Sequence, residues 1–492
     1  MTSFGRWRTK LTFISGINPK LGVTAEIAPL RGECGIGAMM PWAGKLWFVT
    51  FVGHTGRSGA GTGLYTVDEN LNMEKHPASV VGTYANRWIH SATDQLVIGP
   101  HLVDKDGNVR TVPDLIPHRL TATMDHHEDV VNKISYVTME GLILELDLRT
   151  LEVRTAFNML KELKLPPGNQ PHFKAGFTCN GRIIVGNNTY DERDHKGEWT
   201  GGVLAEYYDG KWSILEKTGF MEVFGRRNLS GTIFAIGWDR RSAIMRTLID
   251  GQWTRYRLPK ASSGYEYYWS LEWTRIREME HERYIIDASG MFYEVSPVSY
   301  EGRVWGLRPV STHLRVVPDF TIYRGMLVMG GNQVSPNMEL DWWRSDRTEN
   351  EGKDTGGTLD LNARMDNNPI AGEPQTGLWF GAMDDLWTKF GKPKGWGGVW
   401  WEDKVKAGEA SDPFLMTGFE HKSMHLSNSS DHAVSIKVEI DFLGNGSWKT
   451  YDVIEVAAGG YASHSFPEGF SAHWIRLVAD KDCIATGYFH YT

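Results

Sequence analysis

Six segments of this chain repeat one small plan, an apolar pair, a tight polar turn and a second alternating stretch, at 64–70, 102–109, 144–149, 205–212, 247–253 and 292–295. Three of the turns contain Asp-Gly, at Asp106-Gly107, Asp209-Gly210 and Asp250-Gly251. That pair supplies the positive φ angles of a two-residue type I′ hairpin. Further apolar runs precede most of these hairpins, at 45–49, 95–98, 134–137, 182–185, 232–236 and 284–286. Each unit therefore holds three or four strands. Small sheets recurring roughly every 40 to 60 residues mark the blades of a radial array that protects its own edges. The prediction is an all-β chain: a seven-bladed β-propeller with a C-terminal β-strand extension or small β-sandwich.

The blades are expected at 31–78, 79–116, 117–165, 166–220, 221–262, 263–310 and 311–417. Residues 1–30 form an N-terminal segment, 31–417 the propeller and 418–492 a β-rich region. The last blade carries a polar insertion at 333–374, the length of a functional or mobile loop. After Gly418 the alternation lengthens, as at 435–440 and 474–478, with turns at Gly444-Asn445-Gly446 and Gly459-Gly460. Helix is expected only at 157–163. Most of the 20 tryptophans are expected between blades.

A net charge of −8 and a pI near 6.1 argue against nucleic acid or anionic lipid as partner, so any anion needs a local basic cluster. Nothing in the sequence spans a membrane, and no secretory signal is visible at the N-terminus. Cys34, Cys179 and Cys483 are too few and too scattered for a disulfide framework or a thiolate metal site; they read as buried thiols.

In such a ring the residues just before each innermost strand converge on a central funnel. Those segments hold Tyr84, Arg87 and Trp88; Arg119, Asp125, His126 and His127; His172 and Lys174; Arg226 and Arg227; Tyr268, Trp269, Glu272 and Arg275; His313 and Arg315. An acidic chain that gathers Arg and His at one mouth suits a carboxylate-bearing ligand, because the guanidinium fork pairs bidentately with carboxylate. Aromatic rings beside them suit the apolar faces of sugars. The run Asp125-His126-His127-Glu128-Asp129 places two or three metal-ligand types on one strand face, yet no second ligand pair stands at a diagnostic spacing, so a solvated turn is expected. The glycines of 53–63 lack the Gly-Lys-Ser/Thr ending of a phosphate loop, although His54 within them remains a site candidate. Hydrolase elbows, zincin helices and dinucleotide fingerprints are absent from the sequence.

With segments such as 81–87, 171–176 and 311–316, the propeller portion resembles the seven-bladed β-propeller polysaccharide lyases, especially the rhamnose-glucuronate lyases acting on arabinogalactan side chains. The resemblance implies β-elimination at a uronate, with an acidic plant or algal polysaccharide as partner. It implies no organic cofactor, a divalent metal being without support, and a periplasmic or secreted bacterial setting. The chemistry asks for a base near neutral pKa, an acid for the leaving oxygen and cations on the carboxylate. His172 is the expected base, Tyr268 the proton donor, and His313 or His126 a second imidazole. Arg227, Arg275, Arg315 and Arg87 are expected at the carboxylate with Trp269, while His54 and Tyr190 stand in reserve. Two alternatives accompany this reading: an α-L-rhamnosidase-type hydrolase, drawing carboxylates from Glu272, Asp125 or Asp319, and a non-catalytic glycan-binding propeller.

Overall fold

The computed structural model describes residues 16–22, 33–52, 63–79, 86–165, 171–189, 201–225, 231–262, 273–279, 283–313, 317–334 and 375–492. Among these residues seven antiparallel units of four strands follow one another, the first extended at its inner edge by Asn332–Val334. Blade one runs from Glu33–Trp42 to Met73–Lys75, blade two from Arg87–His90 to Val109–Thr111, and blade three from Leu120–Asp125 to Val153–Asn158. Blade four spans Phe173–Cys179 to Lys211–Glu216, blade five Phe220–Gly225 to Gln252–Leu258, and blade six Arg275–Met279 to Arg308–Thr312. Blade seven takes Phe320–Tyr323, Met326–Gly330 and Gln375–Gly381 and borrows Gly16–Gly22 as its outer strand. The first strand of every blade lies beside the first strand of the next, and that of blade seven beside that of blade one. The sheets thus close into a propeller, and the far N-terminal strand locks the ring.

The burial of each strand follows its sequence. Second strands such as Ile233–Trp238 are buried on both faces and read as continuous apolar runs, whereas outer strands such as Lys211–Glu216 alternate. Each fully buried aliphatic or aromatic side chain contributes about 1.5–3 kcal/mol of transfer free energy. The Asp209-Gly210 and Asp250-Gly251 turns have both residues at positive φ, as a type I′ hairpin requires. Asp106-Gly107 departs from that geometry: only Gly107 has positive φ, and Asp104 organises a longer turn by accepting hydrogen bonds from the amides of Asp106 and Asn108. An Asx side chain here outcompetes the two-residue turn.

β-Bulges shape the funnel. In blades three and four the inner strand loses register after its first residue, leaving Thr121 and Lys174 unpaired in the ladder. A bulge of this kind re-aims one side chain. Two residues beyond Lys174 on the same strand, Gly176 has no room for a Cβ, which would come within 2.6 Å of the Val137 side chain of blade three. Adjacent inner strands therefore approach closely here.

The C-terminal region is a β-sandwich of two four-stranded sheets. One is ordered Gly395–Val405, Cys483–Tyr491, Lys422–Asn428, Tyr461–Ser465; the other is Phe414–Leu415, Trp474–Ala479, Val434–Asp441, Lys449–Val456. Gly395–Val405, which falls inside the 31–417 span assigned to the propeller, pairs with Cys483–Tyr491 of the sandwich. The second sheet continues blade five through a parallel contact between Arg257 and Phe414. Side chains of blades five and six share one hydrophobic cluster with the sandwich, including Phe234, Tyr284, Phe414 and Phe489. Among the described residues helix occurs only as short pieces at Met159–Glu162, Asp385–Thr388 and the 3-10 turn Pro113–Leu115. Among the described residues no helix is long and apolar enough to cross a membrane. Cys179 and Cys483 are buried free thiols.

Candidate functional site

The inner strands of blades one to six surround a cavity of about 180 Å³ on the ring axis, lined among others by Arg87, Trp88, Lys174, Glu222, Arg275 and Arg277. Four charged side chains organise one wall. Asp319, fully buried just before the inner strand of blade seven, accepts from Arg87 Nε at 2.8 Å, from Arg277 Nε at 2.5 Å and from the Met39 amide at 2.7 Å. Arg277 Nη1 donates onward to Glu222 Oε2 at 3.1 Å. Arg87 belongs to blade two and Asp319 to blade seven, so this pair spans the ring past blade one.

Burial works against ionisation of Asp319, but Arg277 and Arg87 overcome it and bring its pKa down to about 2. Burial likewise opposes the charge on Arg277, and its two carboxylates outweigh that cost and raise its pKa. For Arg275 burial wins, lowering it to about 10, because its nearest carboxylate, Glu222, is 3.9 Å away. Its guanidinium donates instead to the carbonyls of Pro318 and Thr274 and lies 5.3 Å from the Trp273 ring centroid. Lys174, the bulged residue of blade four, approaches the same ring at 5.1 Å. Two cations from different blades thus share one buried indole, whose π face partly compensates their lost hydration.

Arg87 and Arg275 are brought to the axis as the sequence suggests. Arg87 is committed to Asp319 there. Trp88 lines the cavity, and its indole donates to Asp125 Oδ1 at 2.8 Å. His172 stands half-buried at the end of the ring where inner strands begin. Its Nδ1 is 2.7 Å from Asn188 Oδ1, an atom that only accepts, so Nδ1 carries the hydrogen of this contact.

The other described candidates lie elsewhere. His126 follows the inner strand of blade three, at the opposite end from His172. Two amides, those of Glu128 and Asp129, donate to its Nδ1, and its Nε2 donates to Glu145 at 2.8 Å. These contacts make it the core of a structural turn. His127 is tilted against His126, with burial lowering its pKa, and Asp125 is held by Trp88. Among the described residues no group of three or more His, Cys, Asp or Glu side chains is arranged to hold a metal ion. His313 is buried inside blade six, 2.9 Å from Asp287 and stacked on Phe292 at 4.5 Å. It fastens the blade's outer end to its second and third strands. Tyr268, Trp269, Arg227, Arg315, His54 and Tyr190 lie outside the described residues, as does nearly all of the 333–374 insertion.

Sequence reasoning missed Arg277 and Glu222 as cavity residues and placed Lys174 at the funnel without giving it a role, and the signals that find them are subtle. Arg277 is two residues beyond Arg275 on a strand and so shares its face, whereas Lys174 reaches the axis through a bulge.

No protein-family model matches the chain, and no curated protein matches it. Among solved structures, the chain is similar to the β-propeller domain of Cps50 (Swd1) from Myceliophteria thermophila, with a TM-score of 0.34 and 10% identity over 64% of this chain and 98% of that one.

Proposed function

We propose that the protein acts on an acidic glycan at the axial cavity, as a lyase that eliminates across C4–C5 of a uronate, with rhamnose-capped glucuronate as first choice of substrate. One observation carries this reading: in a chain of net charge −8, four cations line the cavity against a single lining carboxylate, Glu222. Even with Asp319 counted behind the wall, positive charge is in excess.

In the proposed reaction Arg275 and Lys174 neutralise the uronate carboxylate, which lets the C5–H bond break. His172 Nε2 takes that proton. The electron pair forms the C4=C5 bond as the C4–O bond breaks, and the leaving oxygen is protonated by an acid, for which Tyr268 is the sequence candidate. A hydrolase is less well served, because inversion or retention both need one carboxyl kept protonated, and Asp319 is held ionised. A non-catalytic glycan-binding propeller is favoured by the ion pairs of Arg87 and Arg277, which bind protein carboxylates and leave fewer donors for substrate.

The test is incubation with a rhamnose-glucuronate-capped arabinogalactan while near-ultraviolet absorbance and products are followed. A conjugated unsaturated uronide supports the lyase, and His172→Ala should then lower kcat by roughly a hundredfold to ten-thousandfold with unchanged melting temperature. Free rhamnose with a saturated product would establish hydrolysis. Binding with no product would leave the scaffold reading.

A further inference from the structure

The outward face of the sandwich sheet that begins with Gly395–Val405 is unlike an ordinary solvated sheet. Strand alternation sends Phe489, Tyr491, Met424 and Leu426 into the core and turns Tyr488, His490 and His425 outward. Register sets these in rows: Gly398 opposite Tyr488 opposite His425, and Trp396 opposite His490 opposite Ser423. The rings form a connected track. Trp401 and Tyr488 meet edge to face at 5.8 Å, Tyr488 and His490 at 5.8 Å, and His490 lies 5.1 Å from His425. His425 in turn stacks near Tyr461, which is 63% exposed, and its Nδ1 is 2.8 Å from that phenol oxygen.

Gly398 is part of the construction. A Cβ there would fall 2.6 Å from Tyr488 Cδ2 and 2.5 Å from the Gly487 carbonyl, so only glycine lets the tyrosine ring lie against the neighbouring strand. The resulting cavity is about 630 Å³, within the usual range of ligand sites and far larger than the axial one. Its lining includes Trp396, Trp401, Thr486, Tyr488 and His490, with Lys394 and without an Asp or Glu side chain. Burial, followed by the nearby His425, lowers the pKa of His490, so this imidazole is neutral at neutral pH.

We propose that this face is a second binding site, for a neutral saccharide chain lying across the four strands. The occupant follows from the chemistry of the lining. Flat aromatic faces match the C–H faces of sugar rings, while Thr486, His490, Ser423 and Ser463 supply exchangeable donors and acceptors for hydroxyl groups. A charged ligand would lack a counter-ion cluster, and a purely apolar one would leave those polar atoms desolvated. Four strands at about 4.8 Å spacing make a track roughly 14 Å across, long enough for an oligosaccharide. The site does not depend on the axial cavity, whose ligand carries a carboxylate.

The test is affinity electrophoresis of the full chain in gels containing uronate-free type II galactan, xyloglucan or mixed-linkage β-glucan. At least one should retard the wild type. Trp401→Ala and Tyr488→Ala should each weaken binding roughly tenfold, as loss of a stacking ring does, while Trp401→Phe retains most of it and Lys174→Ala leaves it unchanged. Should either alanine variant lose its native melting transition, the partly exposed His425→Ala takes its place, with weaker retardation expected. The proposal falls if none of the three glycans retards the wild type, or if natively melting variants bind as the wild type does. It also falls if sedimentation shows a dimer that Tyr488→Ala converts to monomer, since the face would then be an interface between copies.

Discussion

At the scale of single residues, the axial arginines show how position outweighs residue type. Arg87, Arg275 and Arg277 all lie at the same cavity, yet Asp319 binds the first and third and leaves the second with carbonyls and an indole. Asp319 therefore serves as the ring's electrostatic hub. Asp319→Asn would leave Arg87 and Arg277 short of counter-charge in a dry site, at a cost of about 3–5 kcal/mol in denaturant unfolding. A pH dependence accompanies it. The folded carboxyl titrates near 2 and an unfolded one near 3.9, so unfolding takes up a proton between those values. Its contribution is complete above about pH 4 and is lost as pH falls toward about 2. Denaturation midpoints across that window should therefore converge between the wild type and Asp319→Asn. A constant gap would show that the carboxylate's charge is not what the site uses.

At the scale of elements, blade five and the sandwich are joined by a buried guanidinium. Arg257, fully buried, donates to Asp239 from both Nη atoms at 3.0 and 2.9 Å and to Asp412 Oδ2 from Nε at 2.8 Å, while its amide donates to the Pro413 carbonyl. Burial opposes the charge on Asp239, but Arg257 and Arg241 hold its pKa well below the usual range. Arg257→Met keeps an unbranched apolar stem and removes the fork, stranding two carboxylates. The expected loss is about 3–5 kcal/mol, read by chemical denaturation, and a variant as stable as the wild type would show that apolar packing alone joins the two parts. Such long-range ties mark where the sequence stopped being informative. The blades were legible because each is a local meander of apolar runs and polar turns. Gly16–Gly22 as the outer strand of blade seven was not, since its partner lies at the far end of the propeller. The site was half legible in the same sense: Arg87 and Arg275 stand at inner strands whose positions can be counted, but His126 and His313 were misjudged as funnel residues. His126 sits at the other end of its strand, and a buried Asp287 draws His313 into the blade. No pattern of alternation announces the bulge that aims Lys174 at the axis.

At the scale of the whole molecule, the net charge of −8 and the positive axial cavity act on an acidic glycan in opposite directions and over different ranges. The overall field repels a polyanion at a distance and is screened by salt, the screening length falling from roughly 30 Å at 0.01 M to roughly 10 Å at 0.1 M. Contacts inside the cavity are short and largely shielded from ions, so they weaken much less. The association rate constant for an oligo-glucuronate should therefore rise as salt increases from 0.01 to 0.1 M, the reverse of what a broad basic surface produces. Lys174→Ala should accelerate dissociation at every salt concentration while preserving that upward trend, because it removes a cavity contact and leaves the long-range field negative. Stopped-flow binding over this range measures both. A rate constant that falls steadily with salt would mean that a wide positive surface, not the axial cavity, first captures the glycan.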